Sequence, residues 1–156
     1  MIGEKFQPKT AYRALKIIFY ALNTGLLLFF IVATYLSGSL LPPFHEGYDI
    51  LTFVNIALLL TIPVAYSISS KKLEAIDASD SFARKFEQYQ VAMIIRWALI
   101  EGVALFSLVG LIVLKDSKQL ILFVICILVL SSNTVTKEKA TRMAKLNAEE
   151  SRALDE

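Results

Sequence analysis

Two ionisable residues stand where a chain seldom carries charge. Arg96 and Glu101 lie inside residues 91–114, a 24-residue run otherwise free of Asp, Glu, Lys and Arg. A charged side chain at the centre of a bilayer costs roughly 2.5–3.5 kcal/mol on insertion scales, so it is protonated, paired or hydrated. Arg96 is five residues past Val91, about 7.5 Å along a helix, and its stem can snorkel to the interface. Glu101 is ten residues in, about 15 Å, which is midplane depth and beyond snorkelling reach. Along one helix the two point about 140° apart, so neither satisfies the other.

Glu101 therefore has three open readings. As a neutral acid hydrogen-bonded to Asn23 or Thr24, it is structural glue. As a titrating group its pKa rises on desolvation, and it is a proton or cation site. As half of a pair, it meets another subunit. Tyr20, Asn55 and Cys126 are the next polar groups at comparable depth. Other chemistry is absent from the pattern. His45 is the only histidine and Cys126 the only cysteine, which leaves no bis-histidine haem, disulfide framework or Cys-rich metal site. His45, Glu46 and Asp49 read as a solvated loop rather than a metal site. No Ser/His/Asp set, Cys/His pair or Gly-rich phosphate loop is present, so neither an enzyme nor a cofactor is expected. A net charge of +2 is too small for a nucleic-acid surface.

The elements that position these residues follow from composition. The 156 residues are 56% hydrophobic and 19% charged, with mean hydropathy +0.59; soluble domains average roughly 45–50% and about 25%. Residues 17–36, 50–70 and 119–135 contain no Asp, Glu, Lys or Arg. With 91–114 they make four candidate spans, since about 20 apolar residues cross the hydrocarbon. The last is the shortest, and a re-entrant segment is its rival. Under four spans, thirteen of the fifteen Lys and Arg residues outside them fall on one side. Both termini are then cytoplasmic. Residues 71–90 read as a cytoplasmic helical hairpin with Phe82, Phe86 and Tyr89 on one face. Residues 136–156 form a cytoplasmic tail, with a capping box at Asn147 and Glu150. Pro63 interrupts the second span's backbone bonding.

The chain also repeats. Offset by 77 positions, KIIFYALNTGLLLFFIV at 16–32 aligns with MIIRWALIEGVALFSLV at 93–109, and Thr24 falls on Glu101. The expected architecture is all-α, a duplicated pair of transmembrane hairpins. Ala21 with Gly25, and Ala98 with Gly102, are small-x-x-x-small pairs, which predicts that the first and third spans cross there.

Two resemblances add to this reading. YQVAMIIRWALIEGVALF at 89–106 and TKEKATRMAKLNAEE at 136–150 resemble a group of small four-span proteins of Bacteroidetes, which implies an inner-membrane location. ALIEGVALF at 98–106 resembles the carboxylate-bearing helix of rotary ATPase proteolipid (c-ring) subunits, which implies proton or sodium transfer at Glu101. The chain departs from that family in carrying Glu101 on the first helix of its hairpin, beside Arg96, without a glycine stripe. Partners expected are the lipid bilayer and other membrane subunits or a second copy.

Overall fold

A computed structural model describes residues 6–47 and 49–155; Lys5, counted among the basic residues above, lies outside them. The fold is all-helical, 77% of it helix, with no strand among those residues. Helix α1 (Pro8–Ser37) begins on a proline, at a position whose N–H would have no helical acceptor. It stops at Gly38, where φ of 81° turns the chain left-handed and the N–H reaches the Tyr35 carbonyl at 3.2 Å.

The second candidate span is divided at Leu60 into α2 (Ile50–Leu59) and α3 (Thr61–Glu74). Pro63 lacks the donor that would tie it to the preceding turn. The break falls at Leu60, whose N–H bonds the Ala57 carbonyl at 3.0 Å, while the Thr61 hydroxyl donates to the Leu58 carbonyl at 2.7 Å. Helix α4 (Phe82–Leu114) is unbroken for 33 residues, about 50 Å. Then come α5 (Ser117–Ser132), α6 (Lys137–Met143) and α7 (Ala148–Arg152).

Three helical segments are long and apolar enough to cross a membrane: α1, α2–α3 taken together, and α4. Helix α5 reaches that length only together with α6, and the two meet at a 78° bend. Alone, the 16 residues of α5 measure about 24 Å. The outer surface agrees with hydrocarbon as the solvent. Ile17, Leu28, Phe53, Val64, Val113, Ile121 and Leu128 all lie exposed, an apolar exterior far beyond what water tolerates.

Helix α4 is the axis of the bundle, with α1, α3 and α5 packed on it. From α1, Leu15, Phe19, Leu26 and Ala33 are buried, and Phe19 meets Trp97 at 5.2 Å. The expected crossing at the small-residue pairs is absent. A Cβ built on Gly25 or Gly102 would meet nothing within 4 Å, and Ala21 and Ala98 are exposed as well. The reason is rotational: the bulky Phe19/Leu26 face of α1 turns inward, which carries Ala21 and Gly25 to the outside.

The two ends of the bundle are tied differently. At one end the N-terminal segment, the 75–81 turn and the tail gather. Phe6 stacks edge-on to Phe82 at 5.2 Å, the Gln90 amide donates to the Ala11 carbonyl at 3.1 Å, and Leu154 is buried. Lys85, itself buried, pairs with Glu150 at 2.6 Å. Glu150 also accepts the Asn147 N–H and donates its own N–H to Asn147 Oδ1, both at 2.8 Å, closing the capping box. Lys145, at φ 51°, caps the end of α3 by donating to the Glu74 and Ile76 carbonyls at 3.1 and 2.6 Å. At the opposite end, the connection from α1 folds onto the turn between α4 and α5. There the Ser117 N–H bonds the Pro43 carbonyl at 3.1 Å, and Lys118 donates to the His45 and Gly47 carbonyls at 2.5 and 2.8 Å.

Candidate functional site

The polar residues within the candidate spans form three separate groups. Arg96 is 4% exposed, not snorkelled to an interface, and it sits between α3 and the end of α5. Its Nε donates to Ser69 Oγ at 2.7 Å and its Nη1 to Asn133 Oδ1 at 3.3 Å. The guanidinium carbon lies 4.5 Å from the centre of the Tyr66 ring. Asn133 Nδ2 donates in turn to Tyr66 Oη at 2.6 Å and to the Val129 carbonyl at 2.7 Å. The arrangement is a neutral cradle: among the described residues no carboxylate pairs with Arg96. Hydroxyl, amide and aromatic face share a charge that hydrocarbon would not hold.

The second group lies nearer the other end of the bundle. Asn55 Nδ2 donates to Gln119 Oε1 at 2.6 Å, Gln119 Nε2 donates to Thr52 Oγ1 at 2.9 Å, and the Ser107 hydroxyl donates to Asn55 Oδ1 at 3.1 Å. All four side chains are fully buried. Gly110 makes this possible, since a Cβ there would lie 2.6 Å from Gln119 Oε1. The network joins α2, α4 and α5 and leaves no amide unpaired, as a buried polar cluster requires.

Glu101 is the third case, and here the structure departs from the expected polar site. The residue is partly exposed on the outward flank of α4, beside exposed Ala98, Gly102 and Leu105. Its carboxyl makes no hydrogen bond or ion pair with the described residues. Asn23, its expected partner, instead donates to the Phe19 carbonyl at 2.9 Å and accepts from the Ser131 hydroxyl at 3.1 Å. Thr24 is exposed. Thus Glu101, Arg96, Asn55, Asn23 and Thr24 do not converge. Sequence reasoning missed Gln119, Ser107, Thr52, Ser69, Tyr66 and Asn133. The spacing of Thr52 and Asn55, three apart on one helical face, is the signal that could have found the second network.

A fourth polar cluster, this one ionisable, lies in the connection between α4 and α5. Asp116 is 1% exposed, caps α5 by accepting the Lys118 N–H at 2.9 Å, and pairs with Lys118 Nζ at 2.8 Å. His45 Nδ1 stands 3.7 Å away. Burial alone would raise the carboxyl's pKa, but the Lys118 hydrogen bonds and charge, with a smaller contribution from His45, bring it below the ordinary carboxylate range. No group of three or more metal-binding side chains occurs among the described residues. Neither a family model, nor a curated protein, nor a solved structure matches this chain.

Proposed function

We propose that this protein is a four-span inner-membrane subunit or small membrane factor, without enzymatic activity, that works through helix–helix contact. Its contact face is the outward flank of α4: Ala98, Glu101, Gly102 and Leu105. One observation carries this reading: Glu101 stands in the middle of its apolar run, bonded to none of the described residues, between residues small enough to admit a neighbouring backbone. A protonated carboxyl in hydrocarbon is a strong reason for another helix to bind there, because hydrogen bonding across the contact removes the cost of its solitude. The basic-residue distribution supports four spans with both termini cytoplasmic, and the 77-residue repeat supports a duplicated hairpin.

The test is cross-linking of the membrane-embedded chain through a single cysteine at Leu105, with Cys126→Ser removing the native thiol. A cross-linked species that weakens with Glu101→Ala and survives Glu101→Gln supports the contact. Monomer alone, with and without Glu101, overturns it. A second reading, proton or cation translocation, is favoured by the same outward exposure, which a carrier exchanging its load with a neighbour needs. That reading predicts flux in liposomes that Glu101→Gln abolishes.

A further inference from the structure

The cleft between the end of α3 and the start of α4 is unused by the reading above. It measures about 440 Å³ and is lined by Lys72, Ala75, Arg84, Glu87, Gln88 and Val91. Its depth can be placed from both walls independently. Lys72 is two residues beyond the charge-free run 50–70, and Val91 opens the apolar run 91–114. The cleft is therefore at the level where hydrocarbon gives way to headgroups.

Its chemistry is bipolar. Lys72 and Arg84 are exposed cations; Arg84 keeps only a loose contact with Asp80 at 3.6 Å. Glu87 is an exposed carboxylate. The side chains of Lys72, Glu87 and Gln88 make no hydrogen bond or ion pair with the described residues. A phosphate fits the two cations, and an ammonium fits the carboxylate. Beneath the cleft each helix continues as an apolar rail: Ile68 and Val64 follow Lys72 at four-residue steps, while Val91 and Ile94 follow Glu87, and all four are exposed.

We propose that this cleft binds the headgroup of a zwitterionic aminophospholipid. Its phosphate lies on Lys72 and Arg84, its primary ammonium on Glu87, and its acyl chains along Ile68, Val64, Val91 and Ile94. Charge-assisted hydrogen bonds give the site its affinity, and the carboxylate gives it a preference for a primary amine over a quaternary one. A quaternary amine has no N–H to donate.

Native mass spectrometry of the full chain tests this, with phosphatidylethanolamine, phosphatidylcholine and phosphatidylglycerol of identical acyl chains added separately. Retention of the ethanolamine lipid should exceed the choline lipid by about tenfold, the worth of one charge-assisted hydrogen bond. Glu87→Gln should erase that preference while leaving phosphatidylglycerol retention unchanged. Lys72→Ala with Arg84→Ala should lower retention of all three. These side chains are exposed, and an unchanged thermal midpoint in each variant verifies folding. Equal retention of the ethanolamine and choline lipids, a phosphatidylglycerol preference, or retention indifferent to Lys72 and Arg84 overturns the proposal. Soluble phosphoethanolamine separates the two sources of this chemistry. Failure to compete at equal concentration supports a lipid ligand, whereas competition equal to the lipid's overturns it.

Discussion

Arg96 and Glu101 stand five residues apart on one helix and have opposite surroundings. Arg96 faces the bundle and is held by α3 and the end of α5 through Ser69, Asn133 and Tyr66. Glu101 faces outward with Ala98 and Gly102 beside it. The difference teaches that position along an apolar helix alone does not decide the character of a charge it carries. Rotation about the helix axis turned the permanently charged residue inward, where fixed dipoles replace water. The residue that can neutralise itself by taking a proton was left on the outer side of the bundle. A guanidinium has no such option, so the fold had to supply its partners.

The sharpest way to break that contrast is to remove the inward charge. Arg96→Leu leaves Ser69 Oγ and Asn133 Oδ1 without their donor and Tyr66 without its cation. The expected loss is about 3 kcal/mol, from two charge-assisted hydrogen bonds and the ring contact. Reversible unfolding in mixed micelles reads it. Lys at the same position should recover only part, because an ammonium cannot present the planar fork that spans two helices. A stability unchanged by Arg96→Leu would mean that the cradle is incidental.

The two glycines of α4 sharpen the contrast one step further. Gly110→Ala drives a methyl into Gln119, whose amide is pinned by Asn55 and Thr52 and has little room to yield. A loss of about 1–2 kcal/mol is expected. Pairing it with Gln119→Ala should remove the clash while sacrificing the amide's bonds, so the double variant falls short of additivity. Gly102→Ala meets open space and should be neutral or stabilise by about 0.5 kcal/mol through helix propensity alone. Equal effects at both positions would contradict the inward and outward assignment.

Much of this contrast was hidden in the sequence, and the reason is physical. Run length and charge placement make helices and their ends readable. Residues 71–74 continue α3 past the apolar run, Ser81 precedes α4, and Asn147 with Glu150 caps α7. What an apolar run does not disclose is its rotation. A segment hydrophobic on every side carries no moment to say which face meets protein and which meets lipid. The roles of Gly25, Gly102 and Glu101 depend on that rotation, and so does the difference between a snorkelled Arg96 and a buried one. Gln119 and Asn133 were obscured for another reason: polar residues at the ends of a run look like boundaries. Only the hydrogen bonds of Gln119 to α2 and of Asn133 to Tyr66 and Arg96 show that both point back into the bundle.

A third ionisable group extends the comparison to a position where water is close. Asp116 is paired with Lys118 and its pKa is lowered. A depressed folded pKa means that the carboxylate's contribution is complete above the unfolded value, about 3.9. It is lost as pH falls through the lower folded value. Acidification from pH 7 to pH 3 should therefore loosen residues 38–47 from the α4–α5 turn, read as faster amide exchange in that connection. Asp116→Asn should show the faster exchange already at pH 7 and cost about 1 kcal/mol. Acid sensitivity that persists in Asp116→Asn would assign the effect to another group.

The smallest expected effect is the most discriminating. With no partner for its carboxyl among the described residues, Glu101→Gln should change the stability of the isolated chain by less than about 0.5 kcal/mol, within the range of a surface substitution. Any larger loss in monomeric protein would mean that the carboxyl bonds inside the bundle after all. The same substitution bears differently on association. An amide keeps both a donor and an acceptor, so a helix contact made by a protonated acid should persist with Gln and fail with Leu, whereas a proton-carrying step fails with both. Measuring association and flux on the same three chains separates the two roles of an outward-facing acid. The contrast with Arg96 predicts that neither role will be visible in the unfolding of the monomer.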